Sequence, residues 1–228
     1  MNEIIFAISI IIELCFVFIC FRLGREWLFS SIFINLILVT TFGAKLVPFF
    51  GFIINFGNVF YASVFVATYF LIEYHGSKNG LRSVWLGVSA VTFFVLCSQF
   101  VISLQGIEQS EVISKTMSTL FHLAPRIFIA SILAYILAQY LNVWLYSNLM
   151  DRDGSKKLWL RIAIAAFFAQ ILDSIVFFLV AFFAVLPTHI LLQTIGISAI
   201  LKIGIGLLGI PLLYIGRRFA SNQNKYSV

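Results

Sequence analysis

Charge is what this chain has least of. Only 11% of its 228 residues are charged, against about 25% in soluble domains. Hydrophobic residues make up 61%, and the mean hydropathy is +1.05. Together these exclude a soluble globular domain. No stretch is long, polar and Gly/Ser/Pro-rich enough to form a separate soluble unit. Ten-residue segments of alternating polarity are also missing, which excludes an outer-membrane barrel. Cysteine is scarce: Cys15, Cys20 and Cys97 show no CxxC or metal-ligand spacing and read as inert packing residues. His75, His122 and His189 lack partners at ligand spacing, so no metal is expected. With no Walker, GxSxG or HExxH motif there is no nucleotide-hydrolysing or hydrolase machinery. No cofactor is expected.

What is present is apolar length. Runs repeatedly reach the ~20 residues that a helix needs to cross a ~30 Å hydrocarbon core. The pattern predicts an all-α polytopic membrane protein, one domain over 1–228, with seven spans at 4–21, 27–47, 52–74, 83–104, 121–148, 159–186 and 190–215. The longest connection is 105–120. Basic residues orient it. Alternate connections hold Arg22, Arg25, Lys78, Arg82, Arg152, Lys156 and Lys157, and the tail holds Arg217, Arg218 and Lys225, against Lys45 and Lys115 opposite. Ten against two predicts an outward N-terminus and a cytoplasmic C-terminus. The net charge of +6 then reflects loops lying on an anionic leaflet, not nucleic-acid binding. The opening MNEIIFAISI lacks a basic n-region and a cleavage site, so no removable signal peptide is expected. Trp27, Trp85, Trp144 and Trp159 fall near predicted interfaces.

Few ionisable groups remain at depth: Glu13, Arg126, Asp173 and Lys202. Each costs about 2.5–3.5 kcal/mol at a helix centre, so each should be paired, wet or useful. Around Asp173 a pattern recurs. Ala134-x-x-x-Ala138-Gln139-x-Leu141-Asn142 matches Ala165-x-x-x-Ala169-Gln170-x-Leu172-Asp173, thirty-one positions on. Spacing i,i+3 puts Gln139 with Asn142, and Gln170 with Asp173, on single helix faces. A short loop makes the two helices antiparallel neighbours, so the faces can meet, and Lys202 arrives at similar depth. Two readings fit. The amides are helix glue, at about 0.6 kcal/mol per hydrogen bond, or they line a solute site. Asp173 with Lys202 favours a site, because charges cost more to retain than amides. Arg126, after Pro125, either snorkels or contributes. Glu13 reads as structural or interfacial. The run GIGLLGIP, with Gly204, Gly206 and Gly209, reads as close helix packing.

The stretch Arg126–Phe183 carries a resemblance. PRIFIASILAYILAQYLNVWLY followed by KKLWLRIAIAAFFAQILDSIVFFLVAFF resembles the core of the queuosine-precursor transporter family, also called the VUT family. Matching positions are Arg126, Ala134, Tyr135, Gln139, Leu158, Trp159, Arg161, Gln170, Asp173 and Phe177. Ala67, Thr68, Glu73 and Gly76 are similar to its third span, and Lys202, Pro211, Tyr214 and Arg217 to its last. The likeness covers about residues 40–218. Four positions depart from it: Tyr69 and Asn142 stand where the family has aspartates, and Ile162-Ala163 where it has an Asn pair.

The resemblance implies a bundle like the substrate-binding subunits of vitamin importers, in the bacterial cytoplasmic membrane. It also implies import of 7-deazaguanine bases (the cyano or aminomethyl precursor, or queuine) without an ATPase complex. The expected site lies between the last three spans. Asp173 accepts from the ring's donor edge; Gln139, Asn142 and Gln170 complete recognition; Lys202 and Arg126 balance charge. Thr68 and Asn58 join from the third span, and Tyr135, Tyr140 or Phe167 stack on the ring. The partners are then a small purine-like solute and the lipid bilayer. A homo-oligomer and an ATPase energising complex stay open. The rival readings are a binding subunit dependent on that complex, for this or another vitamin-like solute, and a non-transporting assembly protein. An intramembrane enzyme lacks any nucleophile–base constellation.

Overall fold

The computed structural model of the protein describes residues 2–43, 45–122, 125–153, 157–185 and 187–223. Helices α1 (Asn2–Leu23) and α2 (Arg25–Phe42) meet at Gly24, whose φ of 118° suits glycine alone. A hairpin of β1 (Leu46–Phe49) and β2 (Phe52–Asn55) leads into α3 (Gly57–His75), and Gly76 (φ 85°) turns the chain into α4 (Ser77–Ser103). A 3-10 turn (Glu108–Ser110) and α5 (Glu111–Phe121) follow, then α6 (Pro125–Asp153), α7 (Leu158–Phe182), α8 (Thr188–Leu208) and α9 (Ile210–Gln223). Among the described residues, six stretches are helical, long and apolar enough to cross a membrane: α1, α2, α4, α6, α7 and the α8–α9 run. The all-α polytopic expectation therefore holds.

Several boundaries differ from the sequence reading. The spans 27–47 and 52–74 do not continue as helix through 46–55, where the two strands pair antiparallel from Leu46↔Asn55 to Phe49↔Phe52. Pro48 has no N–H to donate and resists a helix interior. Phe50 and Gly51 then take φ of 46° and 83°, the doubly positive geometry of a tight hairpin turn. Asn55 Oδ1 accepts the Gly57 N–H at 2.6 Å and starts α3. The connection 105–120 is largely helical, and α5 is exposed along its length. The span 190–215 breaks at Gly209, because Pro211 cannot donate to the preceding turn and its ring crowds the Leu207 carbonyl.

Two packing expectations also change. A Cβ on Gly209 would stand 2.6 Å from Val66, but on Gly204 or Gly206 it would meet nothing within 4 Å, so only Gly209 serves a close approach. Cys20 is buried, whereas Cys15 and Cys97 are exposed on the outer face rather than packed inside. Of the basic residues used for orientation, Lys156 and Lys225 lie outside the described residues.

Helix α3 is the axis of the bundle, with every position from Gly57 to Ile72 except Phe60 buried. Its neighbours' directions follow from their contacts. Phe6 meets Phe56 and Phe21 stacks on Phe70, so α1 runs parallel to α3. Gly80 faces Ile72 while Gly87 faces Tyr135 and Leu36, so α4 runs back. This alternation brings Arg22, Arg25, Lys78, Arg82, Arg152, Lys157, Arg217 and Arg218 to one face. The outer surface is apolar, with Ile8, Ile11, Phe93, Phe100 and Ile200 at least half exposed. A chain that had to turn these side chains away from water would bury them; a lipid-facing chain need not.

Candidate solute site

Three helices build a buried ion pair. Asp173 lies on the inner face of α7 beside Gln170, Lys202 on the inner face of α8, and Tyr61 on α3. Lys202 Nζ donates to Asp173 Oδ2 at 2.6 Å, and the Tyr61 hydroxyl donates to Oδ1 at 2.5 Å. The ammonium also sits 4.8 Å from the Tyr61 ring centre, within cation–π reach. Tyr135 of α6 meets Tyr61 edge-on at 6.4 Å. A carboxylate is tolerable here because it is paired and doubly hydrogen-bonded. Each of its oxygens keeps a further lone pair.

Deeper along the same helices lie the amides. Asn142 Nδ2 donates to Gln139 Oε1 at 3.4 Å. Gln139 Nε2, Asn142 Oδ1 and both polar atoms of Gln170 have no partner among the described residues, nor have Ser174 Oγ and the Tyr69 hydroxyl. Gln139, Asn142 and Gln170 are all fully buried. An unsatisfied buried polar atom costs about 1–3 kcal/mol, so a stability requirement alone would favour apolar side chains here. Depth is fixed by ties at two levels. Tyr146 and Arg161 meet at Glu73, and Tyr135 and Asp173 meet at Tyr61. Gln139 and Gln170 both fall between these levels, so the repeated amides of α6 and α7 share one layer. On α8, a Cβ at Gly206, buried one turn after Lys202, would meet no atom within 4 Å.

Other expected members are placed differently. Arg126 does not join the cluster: it is exposed, and it donates to the carbonyls of Val180 (2.6 Å) and Phe183 (2.9 Å), capping the last turn of α7. Thr68 is buried but spends its hydroxyl on the Val64 carbonyl at 2.9 Å. Asn58 is buried in the first turn of α3, one turn before Tyr61. Of the three stacking candidates only Tyr135 faces inward; Tyr140 and Phe167 are 57% and 49% exposed on the outside, since each sits one position from a fully buried neighbour on a helix. Glu13 is buried in α1, with Oε2 unpartnered.

The sequence reading missed two features. Tyr61 looks like one more ring in an aromatic span, and only the fold shows that it holds Asp173. A second charged cluster closes the opposite end. Glu73 takes Arg161 at 2.8 and 3.1 Å, Arg217 at 2.9 Å and the Tyr146 hydroxyl at 2.8 Å. Its signal was present, because Glu73, Arg161 and Arg217 all fall on positions of family resemblance.

Together the fold and site define a multi-pass helical membrane protein whose core holds a layer of unsatisfied amides between two charged clusters. More specifically, the family described as "Putative vitamin uptake transporter" matches residues 55–216, so the chain belongs to that family and sits, multi-pass, in the bacterial inner membrane. The match begins at the end of the hairpin and includes every candidate residue from Asn58 to Lys202. The chain is also 29% identical to the "Probable queuosine precursor transporter" of Bacillus subtilis (strain 168) over 200 residues, 87% of this chain and 85% of that one. No solved structure matches it.

Proposed function

We propose that the chain imports an uncharged 7-deazaguanine precursor of queuosine, and that the amide layer of Gln139, Asn142 and Gln170 is where the base is read. The observation that carries this is the set of unpartnered, fully buried amide atoms. They offer donors at Gln139 Nε2 and Gln170 Nε2, and acceptors at Asn142 Oδ1 and Gln170 Oε1. A guanine-type edge presents the complement: N1–H and a 2-amino group as donors, O6 and a ring nitrogen as acceptors. Tyr135 supplies an inward ring for stacking, worth about 1–3 kcal/mol. The name of the Bacillus relative points to the same solute class.

The charge balance favours the neutral, cyano form. Asp173 is already neutralised by Lys202, and Glu73 by two guanidiniums. A cationic aminomethyl group would have to take a carboxylate from an existing partner. Asp173 therefore acts with Lys202 and Tyr61 as a tie that also lends spare lone pairs. The two clusters flank the amide layer, an arrangement suited to alternating access around a fixed midplane site. The positive-inside bias supports a basic face in the cytoplasm, with the N-terminus outside and α3 as a seventh crossing.

The test is genetic and chemical. The chain is expressed in a bacterium that neither makes nor imports the precursor, each base is fed at trace level, and queuosine is measured in tRNA. The cyano base should restore queuosine, and excess aminomethyl base should compete poorly. Gln170→Leu should lower uptake about tenfold or more, because ring groups would be left unpaired. Restoration by no precursor moves the solute elsewhere. Stronger competition by the cation overturns the neutral assignment.

A further inference from the structure

A second site lies at the far end of the same helices. A cleft of about 170 Å³ opens where α6 ends and α7 begins, lined by Leu149, Arg152, Lys157, Leu160 and Arg161. Three of its five lining side chains are cationic and none is acidic. The positive-inside pattern explains Arg152 and Lys157, which are exposed. It does not explain Arg161, which is only 1% exposed.

Arg161 is incompletely matched. Its Nη2 donates to both oxygens of Glu73, but Nε and Nη1 have no partner among the described residues. Glu73 also holds Arg217, so one carboxylate serves two guanidiniums and the cluster keeps a surplus positive charge. A buried cation with unused donors is costly unless an anion meets it. The first turn of α7 adds the positive end of its helix dipole at the same place.

We infer that this cleft binds a phosphate group. Arg152 and Lys157, both exposed, would donate to the phosphate oxygens, the buried guanidinium of Arg161 would add its unmatched positive charge, and Leu149 and Leu160 form an apolar wall. Phosphate of this kind comes from an anionic phospholipid of the adjoining leaflet or from a free phosphate. The leucine wall suits a headgroup with its glycerol shoulder.

The whole chain, delipidated in a neutral detergent, is titrated with phosphatidylglycerol, phosphatidylcholine or inorganic phosphate. Thermal unfolding and lipid retention by native mass spectrometry are read together. Phosphatidylglycerol should raise the midpoint and stay bound, and phosphatidylcholine should do neither. The double variant R152Q/K157Q leaves Arg161 and its Glu73 bond intact and should weaken phosphatidylglycerol binding roughly tenfold or more. A charge-matched control away from the cleft, R82Q/R218Q, should leave it unchanged. A variant-sensitive shift with inorganic phosphate as well identifies a site for the free anion; a shift with phosphatidylglycerol alone identifies a headgroup. Equal responses to both lipids, equal losses in both double variants, or no response to either phosphate source would overturn the inference.

Discussion

At the scale of single residues, Asp173 and Lys202 are each tolerable only with the other. Removing one leaves the other charged and unpaired in a dry bundle, a loss of about 3–5 kcal/mol in comparable buried pairs. Asp173→Asn or Lys202→Met should therefore lower the thermal midpoint markedly, while the double variant should recover much of the loss. Uptake separates the roles, because the double variant should fold yet stay transport-deficient. Full uptake by that variant would reduce the pair to a structural tie. The glycines of α8 give a sharper contrast. Gly206→Ala enters open space and should cost nothing or stabilise by up to about 1 kcal/mol, the usual helix-interior difference. Gly209→Ala would drive its methyl into Val66 at 2.6 Å and should destabilise by about 1–3 kcal/mol, the range for overpacking. Differential scanning of both variants in detergent checks the order.

At the scale of elements, α9 leaves α8 at Gly209 and packs back on α1 and α3, with Leu213 fully buried and Gly216 against Phe21, Phe70 and Tyr74. Its polar ties are Arg217 on Glu73 at 2.9 Å, Tyr74 donating to the Leu213 carbonyl at 2.9 Å, and Arg22 at 3.9 Å from the Phe219 ring centre. Arg217→Ala removes the ion pair to Glu73 while Arg161 keeps Glu73 satisfied. The fold should survive and α9 should open more often. In a cysteine-free background, a thiol at Leu213, fully buried in the closed form, should then be labelled several-fold faster; an unchanged rate would mean that α9 is fixed by packing alone. The elements also show what sequence could and could not reveal. The short loop and the repeated Gln-x-x-Asn/Asp faces placed α6 and α7 together, because i,i+3 spacing survives any detail of packing. The hairpin at 46–55 was missed because its apolar residues fit the ends of two spans, and Pro48 and Gly51 marked only the break between them. The Glu73 cluster was missed because its members come from four helices, a juxtaposition that no local period encodes. Arg126 misled for the opposite reason: a charge in an apolar run looks interior, but its donors reach the end of the neighbouring helix.

At the scale of the whole molecule, the question is whether α3 crosses. It is not among the six stretches apolar enough by composition, and the reason is visible in its residues: Asn58, Glu73 and its tyrosines serve the interior, so lipid never meets most of this helix. Geometry argues for a crossing. Tyr61 is tied to Asp173 of α7, and Glu73 to Arg161 of α7. The intervals 61–73 and 161–173 are equal, twelve residues each, or about 18 Å of helix rise. Helix α3 therefore runs antiparallel to α7 over those ~18 Å, more than half of a ~30 Å hydrocarbon core. The remaining contacts set α1, α6 and α8 parallel to α3, and α2 and α4 parallel to α7. With α3 as the proposed seventh crossing the passes alternate, and an odd number would put the termini on opposite sides. Single cysteines at Asn2 and at Arg218, in a cysteine-free background, should label with an impermeant maleimide from opposite faces of the membrane, Asn2 from outside and Arg218 only after lysis. Labelling of both from one side would mean an even number of crossings and would overturn α3 as a seventh span.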